Sequence, residues 1–400
     1  MPEQYLHGIE IVEIDDGARP ISTVKSSVIG LIGTAAKADA VKFPLNTPVL
    51  IKGRRKDAAA LGNEGTLPAA IDGIFDQCGA MVVVIRVADG TAVPAQGEIP
   101  AVTEEAATIS NIIGGVNEVT GANEGIQCFL DANSVCKVRP RILIAPYYSK
   151  EQAIATELVT IAERLKAVCI FDGPNTTDED AISYAENFGS ARVYIVDPWV
   201  KVWDTTTSAD VVQPASARVA GLISKSDNER GFWWSPSNQV INGITGTARP
   251  VEFELSDTNC QANYLNENKV ATIIHEDGYR LWGDRSCASD QKFAFLCVRR
   301  TADIIGESIL YAHLWAVDRG ITKTYVDDVR EGVDRYLRHL KKIGAIIGGA
   351  CWVDPEINSA DQTTQGIVYW DYEFTPVYPA EHMVFRSHIV DDYLVEIFTE

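Results

Sequence analysis

The stretch that most constrains the fold runs from Trp233 to Phe253 and reads WWSPSNQVINGITGTARPVEF. The adjacent tryptophans supply a large apolar area, and Pro236 and Pro250 fix the backbone angle φ. Glycines between the two prolines permit positive φ, and the last residues alternate in the manner of a strand. No catalytic motif has this order of residues. The pattern therefore predicts a rigid elbow between two parts of the chain.

Upstream of this elbow, short apolar runs alternate with helix-like periodicity. Runs of this kind are typical of strands that are buried on both faces. Strands are predicted over Val28–Ala35, Met81–Ala88 and the runs beginning at Arg141, Val168 and Arg192, and helices over Leu67–Gln77, Lys150–Lys166, Asp178–Phe188 and Pro214–Glu229. This order predicts an α/β body with a mainly parallel, open sheet. Residues 91–123 are weakly periodic, so residues 91–140 are predicted to form an irregular, peripheral insertion.

Downstream of the elbow, the pattern changes to an α+β arrangement, predicted to span residues 256–390. A hairpin is expected where Lys269–His275 and Tyr279–Gly283 flank a Glu-Asp-Gly turn. The further predicted elements are a strand at Phe293–Val298 leading into a helix through Asp318, a helix at Lys323–Ile343, and strands at Ala345–Val353, Gly366–Pro376 and His382–Val390.

Both ends of the chain carry short strand-like segments outside these predicted domains. The N-terminal segment, within residues 1–25, contributes Gly8, Ile9, Ile11, Val12 and Ile14. The C-terminal segment, within residues 391–400, contributes Tyr393, Leu394, Val395, Ile397 and Phe398. An arm of about 20 residues can reach ~66 Å when extended, which is far enough to reach a neighbouring subunit. The alternative for the first segment is an edge strand of the chain's own sheet.

Composition excludes several classes of function. The formal charge of −20 argues against direct binding to nucleic acid, which depends on neutralising cations. The first 25 residues lack the pattern of a secretory signal, and no run approaches the ~20 apolar residues of a spanning helix. The eight cysteines form no CxxC pair and lie mostly in apolar runs, which predicts reduced, buried thiols.

Known catalytic and cofactor motifs are not found. No histidine occurs between His7 and His275, so the α/β region lacks the base of an Asp-His-Ser triad. The histidines and cysteines do not have the spacing of a metal site. The segment Gly30–Thr34 follows a strand but lacks the lysine and the glycine spacing of a phosphate loop. No cofactor is predicted.

Several segments together resemble the tail sheath proteins of contractile bacteriophages and R-type tailocins. The most specific are the elbow, ATIIHEDGYRLWGDRS from Ala271 and VRRTADIIGESI from Val298. HGIEIVEIDDGARPI from His7 resembles the N-terminal arm of that family, and VIGLIGTA from Val28 resembles the first strand of its body. The resemblance covers nearly the whole chain and is weakest over residues 91–140.

The resemblance implies a structural subunit rather than an enzyme. It implies a subtilisin-like but non-catalytic body (residues 26–90 and 141–255), an inner domain that faces a tail tube, and terminal arms that add strands to sheets of adjacent subunits. The partners implied are further copies of the chain, the tube protein, the baseplate and the tail terminator, in a particle assembled in the bacterial cytoplasm. The candidate tube-facing residues are on the helix Lys323–Ile343, and they are Arg335, Arg338, Lys341 and Lys342.

Other interpretations remain open on the sequence alone. The basic end of that helix also complements the helix dipole, which requires no partner. The chain could be a cytoplasmic α/β enzyme, such as a hydrolase, with an unidentified active site. It could also be a component of a type VI secretion sheath, although those sheaths resemble two-chain assemblies and this chain holds body and inner domain together.

Overall fold

The computed structural model describes residues 20–94 and 101–397. Its strands are β1 (Ile29–Thr34), β2 (Val49–Lys52), β3 (Met81–Val87), β4 (Gly115–Val116), β5 (Asn123–Glu124), β6 (Ile142–Ile144), β7 (Val168–Asp172), β8 (Val193–Val196), β9 (Val200–Asp204), β10 (Ala209–Gln213), β11 (Gln239–Val240), β12 (Gly246–Thr247), β13 (Val270–His275), β14 (Tyr279–Trp282), β15 (Ile346–Trp352) and β16 (Asp371–Pro376). Its helices are α1 (Arg55–Ala58), α2 (Thr66–Phe75), α3 (Glu104–Ile113), α4 (Ala132–Cys136), α5 (Gln152–Leu165), α6 (Asp178–Glu186), α7 (Ser216–Glu229), α8 (Gln261–Glu267), α9 (Leu296–Ala312), α10 (Lys323–Lys342) and α11 (Ala360–Thr364).

A nine-stranded sheet organises the body, in the order β11-β14-β13-β8-β7-β6-β1-β3-β2. The six strands from β13 to β3 are parallel, while β2, β14 and β11 pair antiparallel at the two ends. Helices α2 and α7 pack on one face, and α3, α5, α6 and α8 pack on the other. The predicted α/β body with a mainly parallel sheet is therefore confirmed. The parallel strands are mainly apolar because both faces of the sheet are covered.

The elbow links this sheet to a smaller one. Strand β11 pairs with β14 at the end of the large sheet, whereas β12 joins β9 and β10 in a three-stranded sheet. Between them Gly243 has φ +73°, and a Cβ atom there would lie 2.5 Å from the Asp76 carboxylate. At the start of the elbow, Trp233 packs edge-on against Phe232, with ring centroids 5.1 Å apart. The stretch from Trp233 to Phe253 is non-helical and connects the two sheets, and its rigidity stays a prediction.

The C-terminal region is a separate layer. Helices α9 and α10 pack with the β15–β16 hairpin around Ile305, Leu337 and Ile346. The predicted domain boundary near residue 256 is wrong for the β13–β14 hairpin, because β13 pairs with β8 and extends the large sheet. Adding strands to the sheet satisfies backbone groups that would otherwise be left at an edge.

Three predictions of local structure are wrong. Residues 91–123 are not wholly irregular, since they contain α3, which Thr103 caps by accepting a hydrogen bond from the Ala106 amide. The predicted strand at Phe293–Val298 does not form, because Phe293 ends a 3-10 helix, Phe295 makes only an isolated bridge, and α9 begins at Leu296 with buried positions at helical spacing. The predicted strand at His382–Val390 has no partner among the described residues and is exposed coil. An isolated strand cannot satisfy its backbone groups.

Candidate assembly surfaces

The β15–β16 hairpin is a two-stranded sheet that packs on α10 by one face. Phe374 of β16 packs into the core beside α10, and the Cys351 amide of β15 donates to Asp334 Oδ1 of α10 at 2.7 Å. Within residues 20–94 and 101–397, no third strand pairs with either outer edge. Ile347 and Trp352 are 61% and 41% exposed. Two open edges beside exposed apolar side chains make this hairpin a surface suited to receiving further strands.

The described part of the N-terminal segment lies against the same layer. The Val24 amide donates to Ser308 Oγ at 3.1 Å, and the Thr23 hydroxyl lies 3.2 Å from the Tyr336 hydroxyl. Residues 21–24 therefore belong to the C-terminal core, although residues 1–25 were predicted to form an arm. The predicted arm residues Gly8, Ile9, Ile11, Val12 and Ile14 lie outside the described residues.

The C-terminal tail leaves the subunit from the adjoining surface. Arg285 forms a bidentate ion pair with Glu381, with Nε 2.7 Å from Oε1, and its guanidinium lies over the Phe295 ring. Residues 382–394 and Ile397 are exposed, and their apolar side chains are all more than half exposed. The most exposed of them are Met383, Val384, Phe385, Ile389, Tyr393, Leu394 and Ile397.

The predicted C-terminal strand is not seen in the single subunit. Residues Asp392–Ile397 form a 3-10 helix, in which the Leu394 amide donates to the Asp391 carbonyl at 2.9 Å. A local turn satisfies backbone groups that a lone strand would leave unpaired. The segment contains Tyr393, Leu394, Val395 and Ile397, while Phe398 lies outside the described residues.

Helix α10 presents the predicted basic cluster to solvent. Arg335, Arg338, Lys341 and Lys342 are all exposed, whereas Val333, Tyr336, Leu337 and Leu340 are buried on the other side. Within the described chain, no carboxylate lies within 4.0 Å of Arg338, Lys341 or Lys342. These three cations share a face through their i+3 and i+4 spacing.

A second basic surface was missed by the sequence analysis. Lys37, Lys42 and Lys56 line an open depression of about 710 Å³ beside β2. Residues 37–56 carry six basic side chains, at positions 37, 42, 52, 54, 55 and 56. This density on an acidic chain was a signal that charge counting along the sequence could have found.

The carboxyl ends of the parallel strands hold a serine–carboxylate cluster that is closed to substrate. Asp172 accepts hydrogen bonds from the Ser216 amide at 2.7 Å, the Ser216 hydroxyl at 2.6 Å and the Ser149 hydroxyl at 3.2 Å. All three side chains are fully buried, and burial raises the pKa of Asp172 to about 6. The cluster ties α7 to β7 and has no histidine and no access for a substrate.

Helix α9 is joined to the body by buried ion pairs. Arg192 makes two hydrogen bonds to Asp303, of 2.6 and 2.9 Å, and Arg300 donates to Asp227 at 2.8 Å. Arg141 forms a buried ion pair with Glu307. Burial raises the pKa of Glu307, while Arg141 opposes the rise. The body and the C-terminal layer are therefore held in one fixed arrangement.

The whole chain was compared with known proteins. The family model for the phage tail sheath protein central domain matches residues 121–287, and that for the phage tail sheath C-terminal domain matches residues 288–390. A model for the N-terminal region of tail sheath protein Gp18 domain III matches residues 26–87. A prophage major tail sheath protein of Pseudomonas aeruginosa is 45% identical over 393 residues, which cover 98% of each chain.

This chain belongs to the phage tail sheath family. The tail sheath protein of Escherichia phage P2 is 38% identical, over 99% of this chain and 98% of that one. Among solved structures, the helical sheath of the anti-feeding prophage in its contracted state has a TM-score of 0.70 at 21% identity, covering 97% of this chain and 100% of that one. The contracted sheath of an extracellular contractile injection system has a TM-score of 0.69 at 17% identity, with 98% and 99% covered.

Three further observations concern the cysteines, metal binding and membrane spans. All eight cysteines are free, and six of them are buried, as predicted from their apolar surroundings. The described residues hold no group of three or more His, Cys, Asp or Glu side chains that could bind a metal ion. They also contain no helix with the length and apolar character needed to cross a bilayer.

Proposed function

We propose that this protein is the structural subunit of a contractile tail sheath, which polymerises around an inner tube and contracts to drive the tube through a cell envelope. The observation that carries the proposal is the β15–β16 hairpin. Both of its outer edges are unpaired in the described chain, and the described ends of both terminal segments lie in or beside its layer. A subunit with open strand edges and with terminal segments that can pair with such edges can form a polymer in which neighbouring subunits share β-sheets.

In this mechanism each arm adds a strand to a neighbour's hairpin. The N-terminal segment Gly8–Ile14 and the C-terminal segment Tyr393–Phe398 are the donors, and the edges of β15 and β16 are the acceptors. The C-terminal segment gives up its 3-10 turn and exchanges it for ladder hydrogen bonds worth about 1 kcal/mol each. Its exposed apolar side chains are buried against the neighbouring subunit at the same time.

Contraction then changes the packing of subunits while the arms stay paired. The buried ion pairs of α9 support movement of each subunit as one body, and the exposed tail after Glu381 supplies a flexible connection. A gain of a few kcal/mol per subunit at improved interfaces, summed over many subunits, supplies the work. The inner tube, the baseplate and the tail terminator are the proposed partners, with no direct contact to nucleic acid and no insertion into membrane.

The body is proposed to be non-catalytic, with a subtilisin-like arrangement whose site is closed. The support is the buried Asp172 cluster, which has neither a histidine nor an opening. Assembly in the cytoplasm of a bacterial host and residence in the tail of the particle follow from the proposed role.

The direct test of this function is assembly of the purified protein. We expect cylinders in negative-stain micrographs above a critical concentration, with sedimentation shifting from monomer to polymer as concentration rises. No turnover of ester or peptide substrates is expected at any concentration. A protein that stays monomeric at high concentration and hydrolyses such a substrate would contradict the proposal and favour the enzyme alternative.

The basic face of α10 is proposed to contact an acidic surface of the tube. Reversing the charge of Arg335, Arg338, Lys341 and Lys342 to Glu should weaken co-assembly with purified tube protein, by roughly tenfold at low salt. The effect should shrink at high salt because exposed charges are screened. Sheath formation without the tube should be unchanged. Equal tube binding by the quadruple variant and the unchanged protein would leave dipole complementarity as the only role of the cluster.

A further inference from the structure

The open depression beside β2 is the first of two complementary surfaces. It is lined by Lys37, Lys42 and Lys56 together with Asp39 and Asp57. All three lysines are exposed. Its lining residues come from the loop that precedes β2 and from the short helical turns that follow it, and β2 is the last strand on that side of the large sheet.

Contacts within the subunit account for only part of this positive charge. Arg54 and Arg55 are well paired, with Asp57 at 2.9 Å and Asp76 at 2.7 Å respectively. The lysines are not, since Lys37 lies 3.9 Å from Glu64 and Lys42 lies 3.8 Å from Asp39, both in exposed pairs.

In the described part of the chain, Lys56 has no carboxylate within 4.0 Å. The exposed pairs of Lys37 and Lys42 are loose and Lys56 has no such pair, so most of their positive charge is available to another molecule.

Toward the opposite end of the same sheet, around β13 and β14, exposed carboxylates gather, with Arg280 nearby as a base that donates to the Glu276 carbonyl. Glu252 and Glu254 are exposed on the segment that leads into α8, and Glu276 is exposed in the turn between β13 and β14. No basic group of the described residues lies within 4.0 Å of these three carboxylates.

Two contacts hold these acidic segments in one surface. Val251 and Phe253 pack against Ile274 of β13, which lies two residues before Glu276. The Glu252 amide donates to Gln261 of α8 at 3.0 Å, so the first segment is fixed against the helix.

We propose that the basic depression of one subunit docks on the acidic end of a second copy of this chain. The acidic residues lie by β13 and β14, six or seven strands away from β2, which is about 29–34 Å at the usual strand spacing, so the two surfaces cannot meet within one subunit. A contact between two different patches is heterologous, and repeating it produces rings or helices rather than a closed dimer. Charge complementarity would also orient incoming subunits before short-range contacts form.

This inference rests on the proposed polymeric function and specifies which surfaces meet in it. The test uses the full chain and two triple variants. The first variant is Lys37→Glu, Lys42→Glu and Lys56→Glu, which makes both ends acidic. The second is Glu252→Lys, Glu254→Lys and Glu276→Lys, which makes both ends basic. A sextuple variant combines them and keeps the net charge of the natural chain.

Each triple variant should raise the critical concentration for cylinders by about tenfold or more at low salt, as measured by sedimentation. The sextuple variant and an equimolar mixture of the two triple variants should recover assembly to within about threefold of the natural chain. The matched control for the first variant is Lys137→Glu, Lys166→Glu and Lys292→Glu, which makes the same change of net charge at exposed positions outside the two surfaces. This control should assemble normally, and thermal unfolding should show that every variant folds.

Three outcomes would overturn the inference. Normal assembly by either triple variant would show that its surface is not used. Failure of the folded sextuple variant and of the mixture would show that the two surfaces do not meet each other. If the first triple variant and the control variant lost assembly to the same extent, the effect would be due to net charge alone. If the natural chain forms cylinders in these experiments, the proposed function stands even where the head-to-tail contact fails.

Discussion

Deletion of residues 392–400 is expected to abolish long cylinders and leave a folded subunit. The described part of this segment is a 3-10 turn, and its side chains at positions 392–394 and 397 are exposed. Its removal should therefore change the free energy of unfolding by less than ~0.5 kcal/mol. Loss of about four ladder hydrogen bonds per contact, at about 1 kcal/mol each, should raise the critical concentration by a hundredfold or more. Sedimentation and negative-stain microscopy measure this, beside thermal unfolding of the same sample.

Deletion of residues 1–19 tests the other arm in the same way. The cut falls before Ile21 and Val24, which pack on the C-terminal core and should keep the subunit stable. If this variant still formed normal cylinders, Gly8–Ile14 would be an edge strand of its own subunit or a dispensable segment, and not an arm that links subunits.

Proline substitutions separate strand addition from simple docking of side chains. When a strand joins an open edge, only alternate amide groups point toward its partner. Leu394→Pro and Val395→Pro should therefore differ in assembly. One variant should have a near-normal critical concentration for cylinders, and the other a critical concentration raised by roughly tenfold, because proline removes an amide donor. Equal assembly by both variants would mean that the tail does not pair as a strand.

Much of the body could be predicted from the sequence because its signals are local. The strands around Leu31, Val84 and Ile170 are mainly apolar and too short for buried helices, so they indicate a covered parallel sheet. The elbow was recognisable because proline and glycine restrict the backbone wherever the rest of the chain goes.

The errors occur where the structure depends on a distant partner. Phe295 lies in an apolar run that resembles a strand, but Leu296 is buried in the core of the body and Ile305 of the same helix is buried beside α10, so tertiary packing favours a helix. The hairpin at Val270–His275 could not be assigned to the large sheet, because nothing local shows that β13 pairs with β8. Residues 382–397 have strand-like patterns and no partner strand in one described subunit.

Among the assembly surfaces too, some could be predicted from local sequence patterns and others depend on contacts between distant residues. The basic face of α10 was predictable because helical spacing places Arg338, Lys341 and Lys342 together. The depression beside β2 joins Lys37 to Lys56 across a loop and a short helix, so its shape appears only in three dimensions. The buried ion pairs were not predicted, since Arg192 and Asp303 are 111 positions apart.

The Arg192–Asp303 ion pair is expected to contribute much of the free energy that holds the C-terminal layer on the body. Asp303→Ala is expected to lower the free energy of unfolding by about 3–5 kcal/mol, as measured by urea denaturation below the critical concentration. The reason is that Arg192 keeps its charge in a buried position after losing two hydrogen bonds, and Arg299 loses its carboxylate partner as well. Among its other contacts, Arg192 keeps the Glu163 carboxylate, which is 54% exposed and therefore a weaker partner.

Two further variants decide whether an unpaired buried charge is the cause. Asp57→Ala breaks an exposed pair with Arg54 and should cost no more than about 1 kcal/mol. Arg192→Met combined with Asp303→Leu removes both charges, so it should be less destabilising than Asp303→Ala alone, because no isolated guanidinium remains buried. A double variant that loses more than the single one, or a loss below ~1 kcal/mol for Asp303→Ala, would show that apolar packing of α9 holds the layers together without help from this pair.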